Sequence, residues 1–574
     1  MVLEQILPLV DVEHLDSRVL PRPVKGNKKS ETTKTNTIIQ NAGPSRWGSM
    51  EFKFYYLMFV IVVPNMIWAG YRTSSEHNIN YYKYQDLLSS GWLFGRKVDN
   101  SDAQYRFFRE HLIELVALLV LHTTIKRIVL ALCPISKIRF DTIFGVLFLY
   151  GAYGVNSIRV LAHVYIMFSI AHILKNTKRL AILFTWVYGI GSLFINDKYY
   201  AYAFSNFSPS LRFLDEHSKG LIPRWDVFYN FLLLRMISYN IDFLNRYNTT
   251  TSKSKEENIE SKKENEMKEV LLYDDKARMN VILPVNDYNP LNHIAYITYA
   301  PLFIAGPIIT YNDYIFQSRN KLPSLSKHFI LWYAARFLCT LFLMELVLHF
   351  FYVVAISKRK AWEGDSPFEI AMIGLINLNI IWFKLAIPWR FFRLWGLLDG
   401  IDTPENMIRC VYNNYSALAF WRAWHRSYNK WVIRYIYIPL GGSKSRIVTS
   451  LAVFSFVAIW HDIELRLLLW GWIVVLFLLP EMFATQYFVQ HSKKWWYRHI
   501  CALGGALNIY LMMIANLFGF CLGSDGMKKL LADMFSTCNG LTFLLLSFGS
   551  LFIGVQLMFE IREEEKRKGI DLKC

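Results

Sequence analysis

Long apolar runs dominate the chain, separated by short polar stretches. A helix needs roughly 20 mainly apolar residues to cross a hydrocarbon core, where backbone groups cannot stay unpaired. Runs that meet or approach that length lie at 54–70, 112–133, 141–153, 158–174, 180–195, 228–244, 293–310, 329–356, 368–389, 447–460, 465–482, 501–522 and 541–559. They predict an all-α fold, a polytopic transmembrane helical bundle with about 10–13 membrane segments, the shorter ones buried or re-entrant. The polar stretches divide the rest. Residues 1–47 read as a disordered polar tail, 48–247 as N-terminal transmembrane helices, and 248–287 as a charged loop dense in Lys and Glu. Residues 288–561 then form a second membrane-embedded core, and 562–574 a polar tail. No internal repeat appears, and charged residues interrupt the first fifty positions, so insertion is expected to begin with the uncleaved segment near 55–68.

Composition narrows this picture. Of 574 residues, 53% are hydrophobic and 16% aromatic, more than a soluble domain needs. The net charge of +18 falls between apolar spans, so anionic lipid headgroups are the expected partner and nucleic acid is not. The seven cysteines are scattered without metal-ligand spacing, so no disulfide or zinc framework follows. No Walker A loop, G-x-S-x-G elbow or H-E-x-x-H helix is present, which leaves ATP-driven transport, serine hydrolysis and zincin chemistry without support.

Three stretches could carry chemistry. The apolar run 453–460 leads straight into His461-Asp462, and an ionisable pair held near membrane depth is costly enough to imply a polar cavity or a site. A helix end capped at the interface fits the same pair equally well. In Phe420-Trp-Arg-Ala-Trp-His-Arg-Ser-Tyr-Asn-Lys-Trp, helical spacing predicts an aromatic face of Trp421, Trp424, Tyr428, Trp431 and Tyr435. A basic stripe of Arg422, Arg426, Lys430 and Arg434 lies opposite it, with His425 near the border beside Trp421 and Asn429. Such a helix suits lipid headgroups or phosphates, though an interfacial belt helix has the same composition. In Tyr296-Ile-Thr-Tyr-Ala-Pro-Leu-Phe-Ile-Ala-Gly-Pro307, two prolines and a glycine predict a broken span whose freed backbone groups face protein, water or ligand. Between the last two, 390–406 concentrates charge and reads as a site-facing loop or a hairpin outside the membrane.

Together, Tyr-x-x-Tyr-x-Pro-Leu-Phe-x-x-Gly-Pro, then Phe-Trp-Arg-x-Trp-His with Tyr-Ile-Pro-Leu-Gly-Gly, and a later apolar run closed by Trp460-His461 resemble the membrane-bound O-acyltransferase (MBOAT) family. Within it the chain looks like the fungal glycerol-uptake-type branch that remodels GPI anchors and, more distantly, is similar to hedgehog acyltransferase. The resemblance implies an endoplasmic-reticulum enzyme that moves an acyl group from acyl-CoA to the sn-2 hydroxyl of a lyso-phosphatidylinositol in GPI-anchored acceptors. It implies His461 as general base, with His425 or Asn429 assisting; His425 stands where many relatives carry Asn or Asp. Arg390, Arg393, Arg422 and Arg426 are the candidates for CoA phosphates, on charge alone. Cys410, fifteen residues before His425, has a spacing similar to that of hedgehog acyltransferase's haem-ligating cysteine; otherwise no cofactor is required. The rival readings are a proton-coupled glycerol transporter and an inactive, lipid-binding relative.

Overall fold

The computed structural model describes residues 15, 16, 18, 19, 35–216, 220–222, 224–252, 270–281 and 283–572. It is helical almost throughout, the strands being a two-residue antiparallel pair, Ser89–Ser90 with Lys97–Val98. Ten helices among the described residues are long and apolar enough to cross a membrane. The chain is thus a multi-pass membrane protein, and side chains such as Leu57, Val60, Leu147, Leu331, Leu476 and Leu545 present an exposed apolar surface suited to lipid.

The helices that position the site are α1 (Met50–Thr73), α2 (Leu112–Leu132), α3 (Lys137–Tyr153), α4 (Ser157–Ile173), α5 (Lys178–Tyr199), α6 (Trp225–Ser252), α7 (Pro290–Ile297), α8 (Lys327–Phe350) and α9 (Pro367–Leu398). They are followed by α10 (Ala417–Ala423), α11 (Arg426–Val432), α12 (Arg446–His461), α13 (Leu465–Phe488), α14 (Tyr497–Asn516) and α15 (Cys538–Arg567). Most predicted runs match one helix each. The run 329–356 divides between α8 and a short helix at Val353–Arg359, and two others depart from a plain lipid-facing span for identifiable reasons.

The run 228–244 lies in α6 but falls outside the ten apolar spans. Its polar residues Arg235, Ser238, Asn240 and Asp242 are all buried, because α6 packs inside the bundle against α4 and α5 rather than against lipid. Asn240 donates to the Met167 carbonyl of α4 and to Thr185 of α5, which satisfies its amide N–H groups within the protein.

The run 293–310 breaks as expected. α7 ends at Ile297, a 3₁₀ turn covers Ala300–Leu302, and the chain then extends toward Thr310. Arg235 takes up the freed carbonyls: its guanidinium donates to Tyr296, Ile297 and Leu302. Tyr296 donates its hydroxyl to the Ile309 carbonyl at 2.7 Å, closing the loop on itself. Tyr299 and Tyr314 donate to Asp399 and Asp141, which pair in turn with Lys126; Lys137 also bonds Asp399. Two cations facing two carboxylates keep this buried group neutral, the condition for holding charge in an apolar interior.

The expected tails need correcting. Within 1–47, much of which lies outside the described residues, Leu15, Asp16 and Val19 are buried and Thr35–Gln40 is helical. Asp16 accepts from Arg426 at 2.8 Å and from the Glu405 backbone N–H at 3.0 Å. Arg18 donates to Asp402 and to the Thr403 carbonyl, and Arg393 to the Leu15 carbonyl. Composition points to a free tail, but at its described residues 15, 16, 18 and 19 these few long-range pairs hold it against the bundle. At the other end α15 runs unbroken to Arg567, with Glu565 paired to Arg409 and Ile570 buried. The far edge of the 248–287 loop docks too, through Asp275 to Lys430 and Arg18, while 253–269 lie outside the described residues.

Burial alone would raise the Asp16 carboxyl, but Arg18, Arg426 and Arg393 overcome it and hold it well below the usual carboxylate range. A depressed folded-state pKa gives stability that is fully present above the unfolded value and is lost only as pH falls through the folded one. Asp16 therefore stabilises the fold at neutral and mildly acidic pH alike. Asp16→Ala leaves the Arg426 guanidinium without its carboxylate partner and is expected to cost about 3–5 kcal/mol. Glu363→Ala, which removes an 84% exposed partner of Lys83, should leave the stability nearly unchanged. Thermal unfolding of both variants in detergent checks the ranking.

Candidate active site

α12 carries His461 as its last helical residue, and Asp462 leaves in an extended conformation. The helix end is held in both directions by Asn230 on α6. Asn230 donates its amide to the Trp460 carbonyl at 2.7 Å, and the Trp460 indole N–H donates to the Asn230 carbonyl at 2.8 Å. The pair satisfies one of the carbonyls that a helix C-terminus leaves open and fixes the residue next to His461.

The predicted aromatic helix is two helices, and the difference lies at His425. α10 ends at Ala423 and α11 starts at Arg426, with His425 between them in the left-handed region at φ 47°. That conformation costs a non-glycine residue roughly 1–2 kcal/mol and persists where the surroundings enforce it. Here they do. Arg426 N–H donates to the Asn406 carbonyl, Ser427 N–H to the Asn406 side chain, and the Ser427 hydroxyl accepts from Ile308 N–H at 2.8 Å. The break therefore ties three sequence stretches together: the turn at His425, the 390–406 loop and the broken 293–310 span.

The same break faces the His425 ring with the aromatic side chains. It stacks on Trp389 at 4.5 Å between centroids and on Tyr428 at 5.2 Å, and Tyr428 stacks on Trp460 at 4.5 Å. Trp460 meets His461 edge to face at 4.8 Å. The two histidines are thus bridged by one aromatic stack.

All of this borders a cavity of about 2600 Å³. Its lining includes His461, His425, Trp421, Arg422, Trp424, Tyr428 and Asn429. Although surrounded by protein, His461 is exposed on the cavity side and is not sealed away. The lining reaches Ser443 and Arg446 near the start of α12 and, elsewhere, Asp102, Lys358 and Lys384. The start of α12, where the first group lies, and its end at His461 sit toward opposite ends of α6. Arg434, ahead of α12, pairs with Asp242 in the later part of α6, whereas Trp460 meets Asn230 near its start. Several residues lining this space carry a buried polar atom with no hydrogen-bond partner: His425 Nε2, Tyr428 Oη, Asn414 Oδ1 and Trp470 Nε1.

The expected arginines separate. Arg393 is buried and bonds Glu405, the Thr403 carbonyl and the Leu15 carbonyl; Arg390 bonds Glu405 and Thr340; Arg426 bonds Asp16. None of these three lines the cavity, because internal carboxylates neutralise them and draw them into the protein. Arg422 does line it, is exposed, and has no ion-pair partner among the described residues. Asn429 donates to the Trp421 carbonyl at 3.1 Å, which commits part of its amide. Cys410 is exposed and does not line the cavity, so the cavity offers no apolar slot over its sulphur for a haem, and no step is drawn through one. Sequence reasoning missed Asn230 and Asp16; the only signal for Asn230 was an amide inside an apolar run.

A membrane-embedded helical bundle with a histidine pair on one deep cavity is the class of protein this arrangement defines. The MBOAT, membrane-bound O-acyltransferase family model matches residues 180–524, and the chain belongs to that family of acyltransferases. It is 62% identical over 567 residues to membrane-bound O-acyltransferase GUP1 of Saccharomyces cerevisiae, covering 99% of both chains. It is 48% identical over 600 residues to GUP2 of the same yeast, covering 99% of this chain and 98% of that one. A shorter likeness, 30% over 176 residues, covers 29% of this chain and 35% of protein-cysteine N-palmitoyltransferase HHAT of Mus musculus.

Asn230→Leu removes the donor to the Trp460 carbonyl and frees the helix end that carries His461. The buried carbonyl left behind costs about 1–3 kcal/mol. Acyl transfer by membranes carrying this variant should fall roughly tenfold or more, since small misplacements of a catalytic group are costly. A radiolabelled acyl-transfer assay at matched protein level measures the loss.

Proposed function

We propose that this acyltransferase uses acyl-CoA to re-acylate the vacated sn-2 hydroxyl of lyso-phosphatidylinositol in GPI anchors within the endoplasmic reticulum membrane, with His461 as general base. The observation that carries the proposal is the position of His461: at a helix end, open to a cavity whose lining runs the length of α12 from Arg446 to His461. A cytosolic thioester and a lumenal alcohol need such a space if they are to meet at one imidazole. Its walls are largely apolar, which suits acyl chains, and Arg422 supplies a cation for CoA phosphates. The names of the GUP1 and GUP2 relatives support O-acyl transfer, and the sequence resemblance supports the GPI acceptor.

In the reaction, His461 takes the proton from the acceptor hydroxyl as its oxygen attacks the thioester carbonyl carbon. The C–O bond forms, the C–S bond breaks, and the proton passes to the departing CoA thiolate. No acyl-enzyme is needed. His425 lies on the same cavity through the Tyr428–Trp460 stack and orients the acceptor.

General-base catalysis by a positioned side chain contributes about 10²–10⁴-fold. His461→Ala and His461→Gln should therefore lower transfer of labelled acyl groups from acyl-CoA to lyso-GPI in microsomes by at least about 100-fold. Undiminished transfer in both variants refutes the assignment. Intact transfer with lost glycerol uptake in cells carrying them would instead favour the transport reading.

A further inference from the structure

Tyr428 has a hydroxyl that the fold does not use. The residue is 6% exposed, sits in the first turn of α11 and lines the cavity, and its hydroxyl oxygen is buried at that wall without a hydrogen-bond partner. Burying a hydroxyl without a partner is destabilising, a cost that phenylalanine would avoid. Packing does not need the oxygen. The ring is held by its faces, against Trp460 at 4.5 Å and 23°, against His425 at 5.2 Å and 19°, and against Trp431 at 6.3 Å and 4°. Phenylalanine would stack in the same way. The oxygen is left without a structural task, in the stack that joins His425 to the residue before His461.

We propose that Tyr428 is a further catalytic residue, its hydroxyl donating a hydrogen bond to the thioester carbonyl oxygen as attack turns it into an oxyanion. This rests on the acyl-CoA reading above and deepens it. Addition of the acceptor oxygen moves the carbonyl π electrons onto oxygen, and collapse expels the CoA thiolate, which receives the proton held by His461. Tyr428 keeps its own proton throughout; it donates a hydrogen bond that strengthens as the charge develops. A preorganised donor in a site walled by aromatic rings is worth more than the same donor in water. Asn429 is the less suitable donor, because its amide already serves the Trp421 carbonyl.

The test is Tyr428→Phe in the full-length protein, assayed for transfer from a long-chain acyl-CoA to lyso-GPI in microsomes, with thermal unfolding in detergent measured alongside. Losing one oxyanion donor should lower kcat by about 10²–10³-fold, with KM for acyl-CoA nearly unchanged. The unfolding midpoint should be equal to or above that of the parent, since the variant removes an unpaired buried hydroxyl. Unchanged kcat overturns the proposal. A rise in KM alone overturns it in favour of ground-state binding, and a lowered midpoint overturns it by revealing a structural partner. If the parent itself transfers nothing from acyl-CoA to lyso-GPI, the functional reading fails instead, and the two failures are told apart by that control.

Discussion

Asp16 is buried in the protein interior from near the start of the chain and holds Arg426 at 2.8 Å, one residue from His425. Everything around the turn at His425 depends on that contact and on the charges behind it. Arg393, Arg426, Asp16, Glu405 and Asp402 are each at least largely buried, so none can turn to water for hydration. Removing one member leaves another buried and uncompensated, which is far more expensive than losing a surface pair. The network is therefore all or nothing. It fixes the backbone at 402–406, and that stretch supplies the Asn406 groups that receive the N–H bonds of Arg426 and Ser427. A costly left-handed residue is tolerated because its neighbours on both sides are already bound.

A second constraint follows from the first. Within a bilayer, irregular backbone survives only where protein or a water-filled space satisfies it. This molecule has two such breaks near the site, at 297–310 and at His425, and each supplies part of the other's solution: Ile308 N–H of the first donates to Ser427 beside the second. Arg235 completes the arrangement by capping carbonyls of the first break from inside α6. This explains why α6 carries polar residues that its position in a membrane protein would otherwise forbid. It is a central post, shielded by α4 and α5, and its polarity is spent on the backbone of its neighbours and, through Asn230, on the helix that ends at His461.

Much of this was legible in the sequence, and the limits are physical. Spans such as 112–133 or 541–559 declare themselves, since crossing a bilayer sets both length and composition. The break at Tyr296–Pro307 was legible as well, because proline and glycine act locally. His461 stood out through the cost of an ionisable group beside an apolar run. The turn at His425 was not legible: the periodicity of Trp421, Trp424, Tyr428 and Trp431 is that of one helix, and contacts with residues far away in sequence override it. The same holds for the arginines. Arg390, Arg393, Arg422 and Arg426 look alike on charge, and only the positions of Glu405, Asp402 and Asp16 separate three internal partners from the one that faces the cavity.

That separation bears on how such a cavity can hold both fat and charge. If all four guanidinium groups faced the space, their mutual repulsion and their hydration would keep it wet and disfavour an acyl chain. With three neutralised by carboxylates of the protein, the wall near the histidines is mainly stacked rings: Trp389 on His425, His425 on Tyr428, Tyr428 on Trp460. Aromatic faces accept an acyl chain, and they leave the polar edges of the same side chains, His425 Nε2 and Tyr428 Oη, unpaired at the border. An apolar wall with a few unsatisfied donors and acceptors favours a ligand that is greasy along most of its length and polar at one point. A fatty acyl group has that shape, a hydrocarbon chain that ends in one polar carbonyl.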